Sequence, residues 1–151
     1  MILVATGNAN TDQCQVLDMS HFSTTCSNLP SYPHKMHAGV GGVLDGSPTI
    51  CGGLIDNTDP QQIFGTCYML EKSTNSWKLH GNMKSKRFHH ASTTLNNALF
   101  ITGGYDENYA RLASSEYIYG NGTTESGIDL PATRWGHCMA TLHDGRVMII
   151  G

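Results

Sequence analysis

The chain has 151 residues, a net charge of −3 and only 14% charged residues. That balance leaves no basic footprint for nucleic acid, and no apolar run approaches the length of a membrane-spanning helix. Glycine fills 17 positions and no stretch holds a capped helical period, so short strands and tight turns are expected.

In chain order, the first element is Leu3 to Asn8, a worn copy of a unit that is clearer downstream. Gln15 to Met19 follows as a β-rich run. The segment from His34 to His37 then leads into Ala38, Gly39 and Val40, a turn at Leu44 to Ser47, and a strand ending at Cys51, Gly52 and Gly53. After the polar loop Leu54 to Thr66 comes a strand from Cys67 to Leu70. A turn at Lys72 to Asn75 and a short strand with Trp77 complete the unit. The next unit repeats the order: Arg87 to His90, a turn at Leu95 to Ala98, Gly103 and Gly104, a loop from Tyr105 to Ser115, a strand from Glu116 to Tyr119, and a turn at Asn121 to Thr124. Arg134 to His137, a turn at His143 to Arg146 and Gly151 begin a further unit. Asp-Gly and Asn-Asn at these turns tolerate the positive φ that tight hairpins require.

Two landmarks recur in step. The first glycines, Gly7, Gly52, Gly103 and Gly151, are 45, 51 and 48 residues apart, and His37, His90 and His137 are 53 and 47 apart. A period of this size marks a propeller or a solenoid. In the segment from His34 to His37, His34 stands where the other units have arginine.

These residues resemble kelch repeats. His37, Gly52, Gly53, Tyr68 and Trp77 make one copy; Arg87, His90, Gly103, Gly104 and Tyr117 a second; Arg134, His137 and Gly151 begin a third. Ser126 or Gly127 falls where the second copy should carry its tryptophan. The resemblance implies an all-β chain, a kelch-type β-propeller fragment with four-stranded antiparallel blades whose strands run a to d. Residues 1–33 would supply strands b to d of a first blade, 34–83 and 84–131 two full blades, and 132–151 strands a and b of another. Thirteen strands are too few for a closed kelch ring, so a piece of a longer protein is expected.

On this strand reading Cys51 faces Cys67 across the base of one loop, and Cys14 faces Cys26 in a c–d hairpin. Two intrablade disulfides, each contributing roughly 3 kcal/mol, are expected. Cys138 is left over. Asn121, Gly122 and Thr123 form a glycosylation sequon on a turn. Together these features favour an extracellular location over a cytoplasmic one.

The chemistry-bearing residues do not assemble into a recognisable centre. Neither zinc-site spacing nor a nucleophile–base grouping is present, so no catalytic residue, metal or cofactor is assigned. Lys84, Lys86 and Arg87 read as a solvated loop. Gly39, Gly41 and Gly42 precede a hairpin rather than a helix, and read as close blade packing. The expected function is an interaction module whose b–c and d–a loops meet a protein or glycan partner, because loops on a rigid scaffold carry contacts. Candidate contacts are Asp56, Asn57, Gln61, Phe64, Tyr105, Asp106, Asn108, Tyr109 and Arg111. The resemblance also admits a galactose-oxidase-like copper radical oxidase or an intracellular ubiquitin-ligase adaptor. The Tyr-His pair typical of such oxidases does not occur here.

Overall fold

A computed structural model describes residues 2–5, 12–17, 27–55, 57, 58 and 60–151. Among them every regular element is a strand. The first sheet holds β1 (Ile2–Ala5), β2 (Cys14–Leu17) and β3 (Ser27–Leu29). The second is β4 (Val40–Leu44), β5 (Ser47–Cys51), β8 (Thr66–Glu71) and β9 (Ser76–Asn82). The third is β10 (Ala91–Leu95), β11 (Ala98–Thr102), β12 (Ser115–Tyr119) and β13 (Thr124–Ser126), and the fourth is β14 (Cys138–Thr141) with β15 (Val147–Ile150). Within each sheet the strands lie in chain order and neighbours run antiparallel. The b–c loop of the second sheet adds a hairpin the sequence reading did not foresee, β6 (Leu54–Ile55) with β7 (Gln62–Ile63).

The turns explain the pairing. Asp45 and Gly46, with φ of 48° and 68°, and Asn96 and Asn97, with 49° and 56°, sit at the centres of two-residue hairpins. Positive φ at both centres matches the right-handed twist of the flanking strands. The β11 strand is buried at every position, as a strand covered on both faces must be.

The first strands β4, β10 and β14 lie side by side. The Thr94 hydroxyl donates to the Val43 carbonyl at 3.3 Å, and the Thr141 hydroxyl donates to the Thr94 carbonyl at 2.8 Å, one sheet reaching back to the same position of the last. Gly42 permits this approach, since an added Cβ would collide with Leu99 and Thr94. Apolar cores fill the seams. Tyr32, Met36, Ile50, Leu70 and Trp77 belong to one, with Cys14; Leu44, Met83, Leu99, Ile101 and Ile118 belong to the next, with the cystine.

The double glycines fasten one sheet to the next. Gly53 N–H donates to the Arg87 carbonyl at 3.0 Å, and Gly104 N–H donates to the Arg134 carbonyl at 2.8 Å. A Cβ on Gly52 would meet the His90 ring at 2.6 Å and the Arg87 carbonyl at 2.7 Å; one on Gly103 would collide with the Arg134 carbonyl and His137. The first glycine is therefore a place where the following sheet's backbone and ring come too close for any side chain.

This geometry corrects the register of the second sheet. His37 bridges Leu54 as Phe88 bridges Tyr105, and Ala38, His89 and Gly136 share a positive φ of 56°, 52° and 61°. Gly39, not His37, is thus equivalent to His90 and His137, and Met36, not His34, takes the arginine position. Strand pairing likewise sets Tyr68 opposite Ile50 as Glu116 is opposite Ile101, and Trp77 opposite Leu70 as Thr124 is opposite Ile118. Glu116 rather than Tyr117 matches Tyr68, and Thr124 rather than Ser126 or Gly127 matches Trp77.

Candidate functional site

The recurrent landmarks prove to be structural. Arg87 is fully buried, which corrects its reading as part of a solvated loop. Its guanidinium donates to Glu116 Oε1 at 2.6 Å, to the Gly103 carbonyl at 2.9 Å, and to the Ser114 carbonyl and hydroxyl at 3.1 and 3.2 Å. Glu116 in turn accepts from the backbone N–H of Lys84 at 2.6 Å and of Ser85 at 3.1 Å. Both terminal nitrogens of the guanidinium are bonded, Nε alone is not, and the buried pair ties the connector before β10 to strand β12.

The buried histidines also face neighbouring sheets. His137 Nε2 pairs with the Thr102 hydroxyl at 2.8 Å. At the equivalent place before His90 stands Cys51, already bonded, and neither His90 ring nitrogen has a side-chain partner like that hydroxyl. Burial first, and the nearby Arg87 charge second, hold the His90 pKa down to about 3. No cluster of metal-ligating side chains forms among the described residues.

Cys51 and Cys67 are bridged, at a Cα separation of 4.1 Å, across the base of the loop that carries β6 and β7. Both are fully buried. Cys14 is a buried thiol; its expected bridge runs to Cys26, which lies outside the described residues. Desolvation pushes the Cys14 thiol pKa up. Cys138 is a free, exposed thiol, and Asn121 is exposed on its turn.

The loop ends of the second and third sheets form an open cleft of about 740 Å³. Its walls come from the β6–β7 hairpin, the connector before β10 and the loop after β11: Gln61, Gln62, Phe64, Lys86, Glu107 and Asn108 take part. Lys86 and Glu107 meet at 2.7 Å, both more than half exposed. Beside the cleft the chain makes a tight turn. Asp106 Oδ1 accepts from the N–H groups of Asn108 and Ala110, each at 2.8 Å, and Tyr109 N–H donates to the Asp106 carbonyl at 3.1 Å. This turn holds Tyr109 at a φ of 60°, unusual for a bulky residue and a form of strain that gathers at functional sites.

Beyond the turn lies a continuous group of aromatic rings. Phe88 is buried beneath, stacked on Tyr105 at a centroid distance of 5.4 Å and edge-on to Tyr109 at 5.4 Å. Trp135 lies 5.4 Å from Tyr105 and 6.4 Å from His89. Tyr109 is 54% exposed and Trp135 49%, so the group presents ring surface to solvent. Burial, then the neighbouring His37, lowers the His89 pKa.

The expected contact residues therefore separate. Gln61 and Asn108 line the cleft, Tyr105 and Tyr109 belong to the aromatic group, and Arg111 is exposed, its backbone bridged to Tyr105. Asn57 is exposed away from the cleft's lining, and Asp56 lies outside the described residues. Phe64 forms part of the cleft wall, yet it is a core residue, 7% exposed and stacked on His34 at 4.4 Å. Asp106 organises the turn with its carboxylate. Trp135, His89, Lys86 and Glu107 were missed. Phe88, His89 and Trp135 all fall between the arginine and the histidine of the repeated motif, and that placement was the available signal.

No family model matches the sequence, and no curated protein matches it. Among solved structures, one titled "Structure of YjhT" is similar over 91% of this chain, with a TM-score of 0.79 at 14% sequence identity. The chain spans 50% of that structure's length. At this identity the likeness concerns the fold alone: the protein is an all-β chain of antiparallel, blade-like sheets.

Proposed function

We propose that the chain is part of a kelch-type β-propeller and acts as an interaction module, with its b–c and d–a loops meeting a protein or glycan partner. The observation that carries this reading is the joining of a ligand-sized cleft to an exposed aromatic group on one set of loop ends. Pockets of about 300–1,000 Å³ with a few placed polar groups are typical ligand sites, and aromatic residues are enriched where binding energy concentrates. The four-stranded sheets, the repeat spacing and the match to half of a larger fold support the propeller. The Cys51–Cys67 bridge favours an oxidising, extracellular setting.

The test is a binding measurement with the partner recovered by affinity capture on the whole protein. Replacing Tyr105, Tyr109 and Arg111 together by alanine should weaken binding at least about tenfold, as the loss of a hot-spot group does. Unchanged affinity would exclude this loop face.

A further inference from the structure

The geometry points to a neutral oligosaccharide as the ligand of the loop face, with sugar rings lying on the exposed Tyr109 and Trp135 and the chain continuing past Asn108 into the cleft. This rests on the loop-face reading and narrows it to one ligand class. Three observations favour a sugar. First, Tyr109 and Trp135 offer ring surface to solvent, 54% and 49% exposed, while Phe88 and Tyr105 support them from below and beside. The C–H face of a pyranose is apolar and slightly positive, and it complements the negative face of an aromatic ring. Second, the adjoining cleft carries carboxamides, Gln61, Gln62 and Asn108, each able to donate to and accept from vicinal hydroxyls. Among the described residues that line it, the charged side chains are Lys86 and Glu107, and they are paired to each other, so neither is left unbalanced to select an ionic ligand. Third, the two halves are joined through one rigid turn. Asn108 and Tyr109 are consecutive, and Asp106 holds both, its carboxylate accepting from the Asn108 N–H and its main-chain carbonyl from the Tyr109 N–H. A site ordered before the ligand arrives avoids part of the entropic cost of binding.

The expected experiment titrates the protein with tetrasaccharides of β-1,4-linked glucose, mannose, galactose and N-acetylglucosamine. Tryptophan emission and calorimetry are the readouts. Only two tryptophans exist, and Trp77 is buried with its N–H bonded to the Pro30 carbonyl at 2.9 Å, so a sugar-dependent change in emission reports Trp135. At least one of the four should give saturable quenching. Trp135→Ala should remove the optical signal, and Trp135→Ala and Tyr109→Ala should each weaken the calorimetric affinity about tenfold, the effect of losing one stacked ring. Both side chains are half exposed, and unchanged thermal unfolding of the variants would confirm intact folding. No binding by any of the four, or binding that both variants retain, overturns the inference. A protein partner that is lost with Tyr109→Ala while no sugar binds would overturn it too, and would leave the loop-face reading standing.

Discussion

The second and third sheets have the same strand order and the same joints, yet they close those joints with opposite chemistry. In the third sheet the node between connector and strand c is ionic: Arg87 with Glu116, and Thr102 beside Ser115 in the paired strands. In the second sheet the same four places hold Met36, Tyr68, Cys51 and Cys67. The ion pair gives way to a thioether and a phenol, and the two hydroxyl residues give way to a disulfide. Aromatic packing completes the exchange, with Tyr32 5.6 Å from Tyr68 and 5.4 Å from Trp77. The backbone of the unit thus fixes where a closure is needed, and leaves its chemistry open. The choice has a cost next door, because the bridged Cys51 offers His90 nothing like the Thr102 hydroxyl that His137 receives.

The largest test breaks the ionic node. Glu116→Ala leaves the Arg87 charge buried without its carboxylate, and should lower unfolding free energy in urea by about 3–5 kcal/mol. Copying the second sheet with Arg87→Met and Glu116→Tyr together should recover most of that loss; a double variant no more stable than Glu116→Ala would show the two closures are not interchangeable. The covalent node comes next. Cys51→Ala with Cys67→Ala should cost about 3 kcal/mol, the value for a closed loop of this size, in the same urea assay.

The pH test follows. The His90 pKa lies near 3 when folded, against an ordinary value of 6.5, so the unfolded chain binds its proton more readily. Its contribution to stability is complete above about pH 6.5 and is lost as pH falls toward about 3, with a slope approaching about 1.4 kcal/mol per pH unit. Burial and then Arg134 lower the His137 pKa in the same direction. His90→Leu should flatten the acid limb of the melting-temperature profile; an unaltered limb would mean that His90 does not set it. The smallest effect sharpens the comparison most. Cys51→Thr with Cys67→Ser copies the third sheet, and the introduced hydroxyl can bond His90. This pair should be about 1 kcal/mol more stable than the double alanine variant, measured by thermal unfolding under identical conditions.

The repeat was legible because its glycines answer to steric necessity: Gly52 and Gly103 face backbone atoms of the next sheet, where no other residue fits. The register around them was less legible. His37 looked equivalent to His90 because both are histidines, but the position is defined by a bridge and a positive φ, and Gly39 satisfies those. Tyr68 was set against Tyr117 for a similar reason; the longer loop before β8 hid its true equivalent, Glu116. The burial of Arg87 could not be read locally, since its partner is 29 residues away. At the candidate site, Gln61, Asn108, Tyr105 and Tyr109 stood out because they sit in polar loops. Trp135 and His89 were concealed inside the motif itself, where a repeated pattern draws attention to its fixed ends and away from the variable pair between them.

One feature of the joints bears on how such a chain can arise. The bonds from Gly53 to Arg87 and from Gly104 to Arg134 run from main-chain nitrogen to main-chain oxygen. Neither atom changes when a codon for a side chain drifts, provided the glycine's open space is kept. A duplicated stretch of coding sequence therefore inherits a working fastener on arrival, whatever its loops later become. Divergence can then proceed until ancestral copies no longer resemble each other outside the glycines, while each still seats against its neighbour.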